Sequence, residues 1–167
     1  MRGRLASIAL ITSLATLASD RSPAEVGVAA GITSESTAAV TLAVDTRLPL
    51  TRLHPRLDLR LGTGLLLLSS REHDGNAAWL LTPALRYTFA GEAAWFVEGG
   101  IGAALFVDTR LDERELSTAF QFHDRLALGR AFGDGELTLS LNHYSNASIE
   151  SPNDGFETLM LGYRWAW

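Results

Sequence analysis

The chain has 167 residues, 14 arginines, no lysine, no cysteine, 19 acidic residues and a net charge of −5, with 47% hydrophobic content spread so evenly that mean hydropathy is only +0.10. That length suits one domain, and the missing cysteine removes disulfides, thiolate chemistry, haem attachment and cysteine-ligated zinc together. A net negative chain without a basic run has no electrostatic footprint for a phosphate backbone, so no nucleic-acid partner is expected.

Arg2 and Arg4 precede an apolar stretch from Leu5 to Ala18 that ends in small residues before Asp20. This is the pattern of a secretory signal peptide over residues 1–18, and it is too short to span a bilayer as a helix. The expected mature chain, residues 19–167, carries 12 Arg against 19 acids, a net −7.

The mature chain contains no run of 18 apolar residues, which excludes a helical membrane span, and its dominant period is two. Val26, Val28, Ala30 and Ile32 alternate with small or polar residues; Ala38, Val40, Leu42, Val44 and Leu48 follow against Thr37, Thr41, Asp45 and Arg47. Leu57, Leu59, Leu61, Leu65 and Leu67 then alternate with Arg56, Asp58, Arg60, Gly62 and Gly64. A fourth segment runs from Ala77 to Phe89 and a fifth from Trp95 to Leu105; Phe120 to Phe132, Leu137 to Ser145 and a last segment ending Leu159, Leu161, Tyr163, Trp165, Trp167 complete eight. Pro83 lies inside the fourth and cannot donate to a ladder, which predicts a bulge there.

Segments of ten or more residues exceed the usual soluble strand and meet the length a tilted strand needs to cross a bilayer. Their polar faces mix Gly, Thr, Arg, Asp and Glu, which suits a narrow barrel interior more than a lysine-rich solvent face. The predicted fold is therefore all-β, an eight-stranded antiparallel transmembrane barrel of the bacterial outer membrane. The turns at Ala90-Gly91-Glu92 and Gly133-Asp134-Gly135 are tight, whereas Asp108 to Glu115 and Ala147 to Asp154 are longer. Short periplasmic turns and longer outer loops put both chain ends in the periplasm, and Tyr87, Phe89, Trp95, Tyr163, Trp165 and Trp167 then form an aromatic girdle at that rim. Arg60, Arg86, Glu98 and Arg125 are expected to pair inside the barrel.

The seventh segment carries chemistry. Parity places Leu137, Leu139, Leu141, His143 and Ser145 on one face, so a lipid-facing row ends in a base and a nucleophile about 6.6 Å apart. Glu157 shares parity with Leu159 and Leu161 on the next segment, and a carboxylate turned toward lipid is costly without a partner. His143, Ser145 and Glu157 are thus expected on one exterior patch as base, nucleophile and orienter.

His143-Tyr144-Ser145-Asn146-Ala147, followed by Pro152-Asn153-Asp154-Gly155 and Glu157, resembles the signature of the PagL-type outer-membrane lipid A 3-O-deacylases, and Phe120 to Leu126 is similar to that family's sixth strand. The resemblance covers about the last quarter of the chain; the earlier mature residues resemble the family only as barrel strands. It implies a serine esterase that removes the acyl chain ester-linked at position 3 of lipid A, with the triad on His143, Ser145 and Glu157 and no cofactor or metal. Asn146, with the backbone N–H groups of Ala147 and Ser148, is the candidate oxyanion support, and Asn153 is either part of that support or a loop fastener. Ser148 stands where the family pattern leads one to expect glycine. The implied partners are lipid A or lipopolysaccharide as substrate, the surrounding outer-membrane lipids, and, left open, a second copy in a homodimer. Two further readings stay open on the residues alone: a non-enzymatic barrel serving as anchor or adhesin, and an outer-membrane phospholipase. His54, His73 and His123 are dispersed and form no metal-ligand spacing.

Overall fold

The structure, a computed structural model, describes residues 23–71 and 74–167; the expected signal peptide, residues 1–18, and His73 lie outside the described residues. The strands are β1 (Glu25–Thr33), β2 (Ala38–Pro49), β3 (Leu57–Leu68), β4 (Asn76–Thr88), β5 (Phe96–Phe106), β6 (Arg110–Leu111), β7 (Arg114–Glu115), β8 (Phe120–Phe132), β9 (Gly135–Ser145) and β10 (Phe156–Ala166). Eight of them close into a barrel in the order β1-β10-β9-β8-β5-β4-β3-β2, and β6 pairs with β7 as a separate small hairpin. Every barrel neighbour is antiparallel, so no edge is left unpaired in lipid.

Alternation sets the two faces. Leu42, Leu65, Leu85, Leu126, Leu139, Leu141, Leu159 and Leu161 are all about half exposed on the outside, whereas Leu66, Ala104 and Thr158 between such positions are wholly buried. An apolar exterior on strands of 9 to 13 residues is the outer-membrane architecture. The aromatic girdle gathers at the end where β1 begins and β10 ends: His54 meets Tyr87, Tyr87 meets Phe89, Tyr163 stacks on Trp165, and the Arg130 guanidinium lies 5.6 Å from the Trp95 ring.

The interior divides into two halves. Toward the periplasm, Glu98 receives Arg60 at 3.2 Å, Arg164 at 3.3 Å, Arg86 at 3.8 Å and Arg125 at 3.9 Å, with Asp45 and Glu136 balancing the same guanidinium groups. Toward the outside the polar-lumen expectation is corrected: Leu66, Leu68, Leu80, Phe106, Leu111, Leu116, Tyr144, Phe156 and Met160 form an apolar plug. A narrow barrel has little lumen to keep wet, and its wider outer loops supply Leu111 and Leu116 to cap it.

Pro83 makes no bulge. Leu81 pairs with Ala103 and Leu85 with Gly99, so no residue is inserted; pairing to β5 lapses over Thr82–Ala84 while the register continues. Gly100, opposite Ala84 in that register, lets the two backbones approach closely beside the proline: a Cβ there would lie 2.1 Å from the Pro83 carbonyl oxygen.

Candidate active site

The site lies at the outer end of three adjacent strands. In the β9–β10 ladder His143 pairs directly with Glu157, and in the β8–β9 ladder His143 pairs with Asp124 and Ser145 with Phe122. Directly opposed residues of an antiparallel pair hold their Cβ atoms about 5 Å apart on one face. Register alone therefore brings the imidazole and the Glu157 carboxylate together, and the side chains complete it: His143 Nδ1 and Glu157 Oε1 are 3.0 Å apart. With Nδ1 donating to the carboxylate, Nε2 is left as the acceptor nitrogen.

Ser145 is two residues further along the same outward row, half-buried like His143, while Asn142, Tyr144 and Asn146 point inward and are buried. Among the described residues no hydrogen bond joins the Ser145 hydroxyl to His143; catalytic hydrogen bonds commonly tighten only when substrate is engaged. Gly155 fills the neighbouring place on the β10 side. A Cβ there would lie 2.7 Å from the Tyr144 carbonyl oxygen, 3.1 Å from Ser145 Cβ and 3.2 Å from His143 Cε1, so only glycine lets the returning chain lie against both side chains.

The loop over residues 146–155 is fastened from within. Asn146 is wholly buried; its amide donates to the carbonyls of Leu116 at 2.9 Å and Glu150 at 3.0 Å, and its backbone N–H donates to Asn153 Oδ1 at 3.0 Å. Both Asn146 amide protons are therefore committed to backbone carbonyls, one in this loop and one in the connection before β8. Asn153 takes part in the bond to the Asn146 N–H through its oxygen, which leaves its amide nitrogen as a donor. Ile149 N–H returns to the Asn146 carbonyl at 3.1 Å, closing a turn whose central residues, Ala147 and Ser148, both have left-handed φ, +53° and +63°. That turn type ordinarily takes glycine, which gives a physical reason for expecting glycine at position 148.

One further polar residue on this outward face is not singled out from the sequence. Asp124 shares parity with Leu126 and Leu128 on β8 and faces outward beside His143, on the side away from Glu157. The signal was the one that revealed Glu157, a carboxylate on an apolar row. Among the described residues no group of His, Asp or Glu is arranged to hold a metal ion.

The fold defines a small outer-membrane barrel that carries a cluster of polar side chains at the end of its apolar outer wall. Residues 51–166 match the family Lipid A 3-O-deacylase (PagL), and the chain belongs to that family. It is 37% identical over 95 residues to the lipid A deacylase PagL of Pseudomonas aeruginosa, an alignment covering 56% of this chain and 55% of the relative. To the lipid A deacylase PagL of Bordetella bronchiseptica it is 35% identical over 72 residues, 42% of this chain and 40% of the relative. These alignments span about half the length of the curated relatives. The crystal structure of the outer membrane enzyme PagL superposes with a TM-score of 0.77 at 28% identity, covering 86% of this chain and 99% of that one. A de novo designed transmembrane β-barrel shares the fold alone, with a TM-score of 0.50 at 13% identity.

Proposed function

We propose that the protein is a lipid A 3-O-deacylase, a serine esterase acting from the outer leaflet on the acyl chain ester-linked at position 3. The observation that carries this reading is the 3.0 Å contact between His143 and Glu157 on the lipid-facing wall, with Ser145 on the same row. A half-buried carboxylate and imidazole at the end of a leucine row carry a desolvation cost that apolar side chains at the same positions would avoid, which favours a chemical role for them. The relatives' names supply the substrate class.

In this mechanism the Ser145 hydroxyl attacks the ester carbonyl while its proton passes to His143 Nε2. Glu157 holds the imidazole in the tautomer that leaves Nε2 free and stabilises the imidazolium. The tetrahedral intermediate collapses as His143 Nε2 gives its proton to the departing sugar oxygen, which leaves as the free hydroxyl, and an acyl ester remains on Ser145. Water activated by the same histidine then releases the fatty acid. The oxyanion needs prearranged donors; with the Asn146 amide committed to carbonyls, the Asn153 amide nitrogen and the N–H groups of Ala147 and Ser148 are the candidates that remain in the loop following Ser145.

Purified protein incubated with lipid A and analysed by mass spectrometry should release the position-3 acyl chain, and Ser145→Ala should release none. Phospholipid in the same detergent should be cleaved slowly or not at all. Faster phospholipid cleavage would make the protein a phospholipase, and no cleavage of either lipid would leave a barrel without enzymatic use.

A further inference from the structure

The small β6–β7 hairpin, in the connection from β5 to β8, packs against the loop that joins Ser145 to Glu157. Leu111 and Leu116 are buried in the apolar plug, so the segment between them is anchored at both ends. From it, the Glu115 carbonyl accepts Asp154 N–H at 3.2 Å, the Glu115 N–H donates to Asp154 Oδ2 at 3.2 Å, and Ser117 Oγ donates to the Pro152 carbonyl at 2.5 Å. The Glu115 carboxyl is held below the usual carboxylate range, chiefly by the Ser117 N–H. The reach of the hairpin ends on Arg114, whose guanidinium donates to the Gly155 carbonyl and, at 2.6 Å through Nε, to Glu35 Oε1.

Those two partners make a closed clasp around the acidic end of the site. Glu35 belongs to the turn between β1 and β2, and its neighbour Ser34 bonds the Glu157 main chain in both directions, N–H to carbonyl at 2.9 Å and Oγ from N–H at 3.3 Å. Gly155 is the residue against which His143 and Ser145 rest. Arg114 thus connects the turn that grips Glu157 to the backbone that abuts His143 and Ser145, and among the described residues it makes no hydrogen bond or ion pair with any of the three side chains. A lysine could not replace its fork, because the planar guanidinium serves a carbonyl and a carboxylate at once.

We propose that Arg114, held by Glu35, is a positioning residue that sets the separation of Ser145, His143 and Glu157. This rests on the Ser145 esterase reading above. A shift of about an ångström at a reacting group can cost about a hundredfold in rate, and releasing the Gly155 carbonyl frees the strand entry that carries Glu157.

The test uses the full barrel in detergent, with the folded fraction counted by heat-modifiable migration. Two quantities are read: the rate at which a fluorophosphonate labels Ser145, which needs no lipid recognition, and kcat and KM on lipid A. Arg114→Gln should lower both labelling rate and kcat by about tenfold or more while KM changes little, with Arg114→Lys restoring only part of the loss. Glu35→Gln should move both in the same direction by a smaller factor, and it decides the matter if Arg114→Gln does not fold. Unchanged labelling with a raised KM would overturn the proposal in favour of a lipid-phosphate contact. Unchanged labelling with only a lower melting temperature would overturn it in favour of a structural tie. A wild-type protein that labels no faster than Ser145→Ala would instead remove the esterase reading itself, and this inference with it.

Discussion

Tyr144 and Phe156 stack face to face inside the barrel, ring centroids 4.8 Å apart and planes inclined by 19°. Each is flanked in sequence by residues of the outer wall: Tyr144 lies between His143 and Ser145, and Phe156 precedes Glu157. The alternation of a strand turns the packed pair inward and the polar set outward, so the plug that fills the lumen also fixes the spacing of the exterior site. Phe106 and His123 pack against the same Tyr144 ring at 5.8 Å and 4.7 Å. Phe156→Ala should therefore cost about 3–5 kcal/mol and lower activity in the molecules that remain folded. Denaturant midpoints and activity per folded molecule, measured together, check it; full activity at reduced stability would show that wall and plug are uncoupled.

The proposed triad roles are unequal. Ser145→Ala and His143→Ala should each reduce deacylation by about four orders of magnitude or more, whereas Glu157→Ala should leave a larger residue of activity, because orienting a base contributes less than supplying it. Heat-modifiable migration should be normal for all three, since none of these side chains lies in the plug. Parent-rate fatty-acid release by Ser145→Ala would end the covalent mechanism.

Ser148 has φ +63° next to Ala147 at +53°. A left-handed conformation costs a residue with a Cβ about 1–2 kcal/mol, and glycine returns about 0.4–1 kcal/mol of that through the freer unfolded chain. Ser148→Gly should consequently stabilise the protein by roughly 0.5 kcal/mol, with activity maintained or increased. A chemical-denaturation midpoint that falls on this substitution would mean that the serine side chain makes a contact worth more than the strain.

Glu98 tests the other half of the lumen. It is wholly buried beneath four arginines, and removing one member of a buried charge set leaves the rest uncompensated at a cost of about 3–5 kcal/mol. Glu98→Ala should lower the unfolding temperature sharply, yet the surviving barrels should keep their activity because the network sits toward the periplasmic end. A loss of activity per folded barrel as large as that of Glu157→Ala would contradict the division of the interior.

The barrel was legible because period two is a strong signal over long strands: all eight barrel strands fall where the alternation places them, within two or three residues. His143, Ser145 and Glu157 share the outward face for the same reason. Parity could not show how the loop over 146–155 is fastened, since Asn146, Asn153, Leu116 and Glu150 meet through contacts between separate loops, where no period exists. It could not show Arg114 either, because β6 and β7 have two residues each. The apolar plug was hidden by proportion: inward positions are polar near the periplasm and apolar near the outside, and reading a strand as one face averages the two.

Asp124 supplies the last prediction. It pairs with His143 from β8 as Glu157 does from β10, so the imidazole stands between two outward carboxylates on adjacent strands. Glu157 holds the hydrogen bond in this structure. When Glu157 is removed, Asp124 is close enough across the ladder to attract the imidazolium, and the activity left in Glu157→Ala should depend on it. Asp124→Asn alone should then cost little through the histidine, while Asp124→Asn combined with Glu157→Ala should lose more than the product of the two single effects. Side chains in contact within one network commonly couple by about 0.5–3 kcal/mol, or about two- to over a hundredfold in rate at 25 °C. The measurement is a double-mutant cycle on the fluorophosphonate labelling rate of Ser145, which isolates the triad from lipid recognition. Strictly multiplicative effects would show that Asp124 does not act through His143, and its place on the lipid-facing row would then have to be explained by contact with the substrate.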